Sequence, residues 1–125
     1  MAALAAGACL VGGCAPAVKS SAARLDPAGG TGGGAADVRV QQPVKIRLAT
    51  GYSRTLDPAT AWRPAGRLPQ GAVLRPVDTV FSIEGQQVHE AWLVVRGQQL
   101  VGFYLPAEAQ YAPLDEPMQL PMAPK

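Results

Sequence analysis

Histidine and cysteine are scarce in this sequence of 125 residues, which has one histidine, His89, and two cysteines, Cys9 and Cys14. Zinc sites and the Ser-His-Asp and Cys-His catalytic arrangements each need several such side chains held together. The run His89-Glu90 begins like the HExxH motif of zinc proteases, but Leu93 stands where that motif needs its second histidine. We therefore expect a protein that is not an enzyme, with no catalytic residue, no metal ligand and no small-molecule substrate.

The sequence also lacks a strong net charge and a long apolar run. Its formal net charge is +2 and its pI is near 8.7, which is too mild to predict direct nucleic-acid binding. The apolar, uncharged residues 1–13 fall short of the roughly 20 residues that a membrane-spanning helix requires. Their small side chains instead predict a secretory signal peptide, although the basic residues that usually begin one are missing.

The residues before the second cysteine resemble a bacterial lipobox. Leu10 and Val11 are aliphatic, Gly12 and Gly13 are small, and Cys14 follows. Small residues are needed there because the chain enters the peptidase site in extended form, and only a cysteine thiol can become the diacylglyceryl thioether. The motif predicts cleavage before Cys14 and a covalent lipid on it, with no other cofactor. The alternative is that both cysteines are incidental residues of an Ala-rich helix.

Lipidation of Cys14 would determine where the protein resides. Each buried methylene contributes about 0.8 kcal/mol, and stable anchoring takes at least two chains, such as palmitate, which a multiply acylated cysteine supplies. Ala15 follows the cysteine, whereas lipoproteins retained in the inner membrane commonly carry aspartate there. We therefore expect a lipid-anchored protein of the cell envelope, at the outer membrane and facing the periplasm.

Glycine, alanine, serine and proline dominate the residues that follow the lipobox. Residues 14–37 show no hydrophobic periodicity, and such a composition buries too little apolar surface to offset the entropy of ordering. The GGTGGG run at 29–34 lacks the preceding strand and the Gly-Lys-Ser/Thr that a phosphate-binding loop needs. We predict a disordered tether, which as a random coil reaches about 25–30 Å.

The aromatic residues all lie between Tyr52 and Tyr111, and large rings dominate core packing, so the folded region is expected there. Residues 38–113 combine alternating apolar positions with β-branched and aromatic residues, while proline and glycine disfavour long helices. The runs 88–95 and 100–106, separated by a short turn, predict a hairpin. The expected fold is mainly β, a small antiparallel sheet domain with this hairpin at its centre.

Two groups of residues are candidates for binding a partner. Trp62 and Trp92 could stack on a ligand or anchor the core, and the second role is the more common one for such rings. The tail, residues 114–125, is rich in proline and is expected to be extended and polyproline-like. Its apolar residues could add to the sheet edge or groove of a partner, or the tail could be disordered. These apolar residues are Leu114, Met118, Leu120 and Met122.

Residues 56–114 resemble the conjugative transfer region lipoproteins, small proteins encoded in the type IV secretion loci of integrative and conjugative elements. The stretches RPVDTVF (75–81), VHEAWLVV (88–95) and LVGFYLP (100–106) carry most of the resemblance, and the lipobox at Cys14 agrees with it. The resemblance implies a structural or accessory part of a DNA-transfer apparatus, with other envelope subunits as partners and no catalytic residues. The alternative is an envelope lipoprotein of another class, such as an entry-exclusion or peptidoglycan-binding factor.

Overall fold

A computed structural model describes residues 18–27, 37–48 and 50–124. The predicted signal peptide, the lipobox with Cys14 and the glycine-rich run lie outside the described residues. Within these ranges every regular element is a β-strand and every strand pair is antiparallel, so the prediction of a mainly β, antiparallel fold is confirmed. The strands are β1 (Ser21–Ala22), β2 (Val38–Val40), β3 (Val44–Arg47), β4 (Ser53–Leu56), β5 (Trp62–Leu68), β6 (Gly71–Pro76), β7 (Ser82–Glu84), β8 (Val88–Glu90), β9 (Trp92–Arg96), β10 (Gln99–Leu105), β11 (Gln110–Gln119) and β12 (Met122–Pro124).

Eight strands form one sheet in the order β1-β11-β10-β9-β6-β5-β2-β12, while β3–β4 and β7–β8 form two separate hairpins. β11 and β12 lie near opposite ends of that order, although only Leu120 and Pro121 separate them in the chain. The sheet must therefore curl until its two ends meet. Two backbone hydrogen bonds mark the junction, because the N–H of Leu120 donates to Gln98 (2.8 Å) and the N–H of Gln41 donates to Pro121 (2.9 Å).

The predicted central hairpin is formed by β9 and β10, which lie in the middle of the large sheet. Gly97 turns the chain between them with a φ of +62°, a left-handed conformation that glycine adopts without a Cβ penalty. The predicted strand 88–95 is interrupted at Ala91, whose N–H donates to the carbonyl of Phe81 (2.9 Å). The residues before this break form β8, which pairs with β7 and not with β10.

One face of the curled sheet and the two hairpins together enclose the larger apolar cluster. Trp62 meets Phe81 edge-on with ring centroids 5.5 Å apart, and Phe81 stacks on Phe103 with centroids 6.1 Å apart. Each such pair contributes about 0.5–1.5 kcal/mol beyond the burial of its surface. Other buried side chains of this cluster include Val40, Ile46, Leu56, Leu74, Ile83, Leu93, Leu100, Leu105 and Leu120.

The opposite face of the sheet carries a second apolar cluster. Val73 and Val94 alternate along their strands with the core residues Leu74 and Leu93, so they point to the other side of the sheet. A sheet with apolar side chains on both faces needs a cover on each. The buried residues of this second cluster are Leu68, Val73, Val94, Tyr104 and Tyr111.

Residues 18–27, which we call the strap, cover this second cluster. Ala23 and Leu25 of the strap pack against it, and β1 pairs with the start of β11. The N–H of Ala23 donates to Ala109 (3.0 Å), and farther along the strap Asp26 and Arg67 exchange backbone hydrogen bonds of 2.9 Å. The strap therefore runs across the sheet from β11 to β5.

The strap differs from the disordered tether predicted for residues 14–37. A strand of two residues and one partly buried leucine are enough to hold a short segment against a sheet that is already formed by other residues. So short a contact has no hydrophobic period, and composition alone cannot reveal it.

The C-terminal residues also differ from the predicted polyproline-like tail. β11 continues well past the expected domain boundary, and β12 adds Met122–Pro124 to β2. Residues 114–117 bulge from the ladder, since the pairing with β10 resumes only at Met118. The prolines fit because they lie at this bulge or on strands with one unpaired side, where no N–H has to be donated.

Replacing Gly66 with alanine should loosen the strap. A Cβ at that position would lie 2.7 Å from the carbonyl oxygen of Asp26 and 2.8 Å from the side chain of Leu25, so the strap would have to shift. Overpacking of this kind costs about 1–3 kcal/mol, and we expect that loss in the free energy of unfolding measured by urea titration. Trypsin should also cleave faster after the exposed Arg24.

Gly97→Ala is the matched control for this substitution. A Cβ at Gly97 meets no atom within 4 Å, so the change strains the backbone without touching the strap. It should lower stability but leave cleavage after Arg24 unchanged under native conditions. Equal cleavage rates in the two variants would contradict the role given to Gly66.

Candidate anchor and partner-binding surfaces

The predicted lipid-bearing residue lies shortly before the described part of the chain. Cys14 and the lipobox residues before it are outside the described residues, which begin at Val18. Val18 is partly buried and packs against the larger apolar cluster. The chain therefore contacts the folded domain four residues after Cys14.

Trp62, on β5, is a core residue. Its side chain is 1% exposed and packs against Phe81. No partner is found for its buried Nε1 among the described residues. In this fold the ring offers no surface to a partner, and its role is to fill the core.

Trp92, on β9, lies on the second face and is only partly buried. Its ring centroid is 5.9 Å from that of Tyr104, and its Nε1–H donates to a carboxylate oxygen of Glu90 (3.3 Å). A hydrogen bond from the indole and a ring neighbour hold the side chain in place while part of it faces solvent. The exposed part of the Trp92 ring is the aromatic surface that a partner could contact.

The apolar residues of the predicted tail face the chain's own core. Leu120 is fully buried, and Leu114, Met118 and Met122 are partly buried against the larger cluster. The tail does add to sheet edges, but the edges belong to β10 and β2 of the same chain. These four side chains therefore support the fold, and only their exposed parts remain for a partner.

A shallow pocket that the sequence did not predict lies beside the core. Its volume is about 120 Å³. The guanidinium of Arg54 lies 4.4 Å from the ring centroid of Phe81, and its Nη1–H donates to the carbonyl of Ser82 (2.8 Å). Arg54 thus joins β4 to β7 through a cation–π contact and a hydrogen bond. The pocket is lined by Arg54, Thr55, Leu56, Asp57, Thr60, Trp62, Thr79, Val80 and Phe81.

Two contacts between polar side chains connect separate elements of the domain. Nδ1 of His89 lies 2.9 Å from a carboxylate oxygen of Glu108, which links β8 to the turn after β10. The guanidinium of Arg63 contacts both carboxylate oxygens of Asp37 at 2.9 and 3.0 Å, and this contact raises the pKa of Arg63 above its ordinary value. Among the described residues, no group of three or more His, Cys, Asp and Glu side chains is placed to hold a metal ion.

Tyr111 is the buried titratable residue of the second face. Its hydroxyl donates to the carbonyl of Val101 (3.1 Å), and the side chain is 8% exposed. Burial raises the pKa of Tyr111, and the positive charge of Arg96 offsets part of that rise. The hydroxyl of Tyr111 therefore stays protonated at neutral pH. Its hydrogen bond to Val101 connects β11 to β10.

The described part of the chain contains no helix that is long and apolar enough to cross a membrane. No protein-family model, no curated protein and no solved structure matches this chain. The resemblance to conjugative transfer region lipoproteins therefore stays a prediction, and so do the partners that it implies.

Trp62→Ala and Trp92→Ala should differ in their effect on stability. Removing the fully buried ring of Trp62 leaves a large cavity, and such a change costs about 3–5 kcal/mol. Trp92 is partly exposed, so its removal should cost clearly less. Urea unfolding of both variants checks this, and equal losses would show that Trp92 is a core residue unsuited to contacting a partner.

Alkaline pH should destabilise the fold through Tyr111. Because burial raises its pKa above the ordinary value of about 10, the folded protein holds the hydroxyl proton more tightly than the unfolded chain does. This stabilisation is complete below a pH of about 10 and is lost as the pH rises through the folded-state pKa. The urea midpoint of the wild type should fall in that range, and that of Tyr111→Phe should fall less.

Tyr52→Phe is the control for the alkaline measurement, because it removes a tyrosine that belongs to the other apolar cluster. If Tyr111→Phe and Tyr52→Phe lose stability with pH in the same way, Tyr111 does not cause the alkaline loss.

Proposed function

We propose that the protein is a membrane-anchored lipoprotein that acts as a structural or accessory component of a conjugative type IV secretion apparatus. The lipobox residues before Cys14 support the anchor. The resemblance of residues 56–114 to conjugative transfer region lipoproteins supports the assignment to a DNA-transfer apparatus. The lipobox is the observation on which the proposal depends, because the covalent lipid on Cys14 is what attaches the domain to the envelope.

The proposed role of the domain is to bind other envelope subunits of the apparatus. Aromatic side chains are enriched at the centres of protein interfaces, and the partly exposed ring of Trp92, which packs beside the buried Tyr104, presents such a surface. Val80 and Val88 are large apolar residues that are 64% and 65% exposed. We propose that these side chains make the partner contacts, in place of the largely buried residues of the tail.

The proposed location is the periplasmic side of the outer membrane, which rests on Ala15 after the lipidated cysteine. Direct contact with the transferred DNA is not part of the proposal. A formal net charge of +2 gives little overall attraction to the phosphates, whose contacts dominate affinity for nucleic acids.

Deleting the gene from a donor strain should lower the frequency of DNA transfer. Wild-type protein should restore transfer, and Cys14→Ala should not, because the unlipidated domain would no longer be held where its partners assemble. The measurement is the number of transconjugants per donor, with immunoblots to confirm that both proteins are present in equal amounts.

Two results would contradict the proposal. Unchanged transfer from the deletion donor would favour entry exclusion, which is measured with the gene expressed in the recipient. Retention of the purified protein by isolated cell-wall sacculi would favour a peptidoglycan-binding lipoprotein.

Trp92→Ala should reduce transfer without unfolding the domain if its ring contacts a subunit of the apparatus.

A further inference from the structure

The length of free chain between the lipid and the domain is much shorter than composition predicts. Val18 packs against the larger apolar cluster, and it follows Cys14 by four residues. A fully extended chain spans about 3.3–3.6 Å per residue, so Val18 lies at most about 14 Å from Cys14. A tether through residue 37 would instead reach about 25–30 Å as a random coil.

The strap has several attachments that keep this link short. β1 pairs with β11 at Ser21 and Ala22, and the N–H of Ala23 donates to Ala109. Leu25 packs on the second cluster, and the backbone exchange between Asp26 and Arg67 ties its far end to β5. A free tether through residue 37 would require residues 18–27 to leave the sheet. Their release would break these contacts and expose the second cluster to water.

The antiparallel pairing of β1 and β11 also sets the direction from which the chain arrives. Ser21 lies opposite Tyr111, and Ala22 lies opposite Gln110. The residues before Ser21 therefore lie toward the C-terminal end of β11. Asp115 and Glu116 lie on that side and are exposed. They are far from Cys14 in sequence but near the point where the chain enters the fold.

The hairpin β7–β8 is paired separately from the large sheet. It is inserted between the end of β6 and the start of β9, and His89 on β8 contacts Glu108 in the turn just before β11 begins. Glu84 on this hairpin is exposed. Its main-chain carbonyl accepts a hydrogen bond from the hydroxyl of Thr50 (3.1 Å), between β3 and β4, so Glu84 serves as a reference carboxylate outside the edge formed by the strap and β11.

We infer that the membrane surface is a docking partner of the folded domain, with the edge formed by the strap and β11 held against the lipid headgroups. This inference rests on the proposed lipidation of Cys14. The short link, not charge attraction, imposes the orientation, since Asp115 and Glu116 bring negative charge to this edge. The domain lies on the bilayer with one defined edge.

Carboxylate labelling of the full-length lipoprotein tests this orientation. The lipidated protein is reconstituted into vesicles of phosphatidylethanolamine and phosphatidylglycerol, labelled with carbodiimide and glycine ethyl ester, and analysed by mass spectrometry against the soluble Cys14→Ser chain. Anchoring should reduce labelling of Asp115 and Glu116 severalfold and leave Glu84 unchanged.

A variant with about 20 Gly/Ser residues inserted between Ala17 and Val18 is the matched control, since the insertion adds about 25 Å of reach. Labelling of Asp115 and Glu116 should then return to the level of the soluble chain. If the lipidated wild type keeps Asp115 as reactive as in the soluble chain, the inference is wrong while the proposed anchor stands. If mass spectrometry finds no lipid on Cys14, both the proposed function and the inference are wrong.

Discussion

The pairing of the C-terminal segment with two distant strands is the contact on which the rest of this structure depends. β11 completes the sheet beside β10, and β12 completes it beside β2, so one segment joins the two ends of the sheet. Leu120 is fully buried at the crossing, where its N–H bonds to the turn of the central hairpin. If this junction opened, Trp62, Phe81 and Phe103 would lose the curled sheet that encloses them. A domain of this size has little stability to spare, since net folding free energies are only about 5–15 kcal/mol.

The strap covers the second face of the sheet, which curling alone would leave exposed to water. Curling the sheet buries one face, but the other face also carries apolar residues, among them Val73, Val94 and Tyr104. The strap covers them with little more than Ala23 and Leu25, because backbone hydrogen bonds at both of its ends hold it in place. The strap follows the predicted lipidation site in the chain, so under the proposed function the cover of the second face would also be the connection to the membrane.

The strap therefore bears both on the stability of the fold and on the proposed position of the domain at the membrane. Under the proposed function, a force on the lipid anchor would act first on Val18, which packs against the larger cluster, and then on the pairing of β1 with β11. The surfaces proposed for partners, around Trp92 and on the hairpin β7–β8, belong to other elements. Trp92 packs on the same cluster as Ala23 and Leu25 of the strap, whereas Val88 lies on the separate hairpin β7–β8.

Local pattern was enough to predict several features of this protein. Alternating apolar positions and β-branched residues predicted the strands, and two such runs around Gly97 predicted the central hairpin, because both signals lie within a few neighbouring residues. The lipobox at Cys14 is likewise contiguous and can be read without a fold. Sequence reasoning failed to find the pocket beside Arg54, because its walls come from residues that only the fold brings together.

The sequence by itself determined the β class and the central hairpin, since each depends on residues adjacent in the chain, while lipidation of Cys14 stays a prediction. Only the tertiary structure decided that the strap and the tail belong to the domain. Their partners lie far away in the chain, as Ser21 opposite Tyr111 and Pro124 opposite Val38 show. It also decided the different roles of Trp62 and Trp92, because burial depends on what the rest of the chain places over each ring.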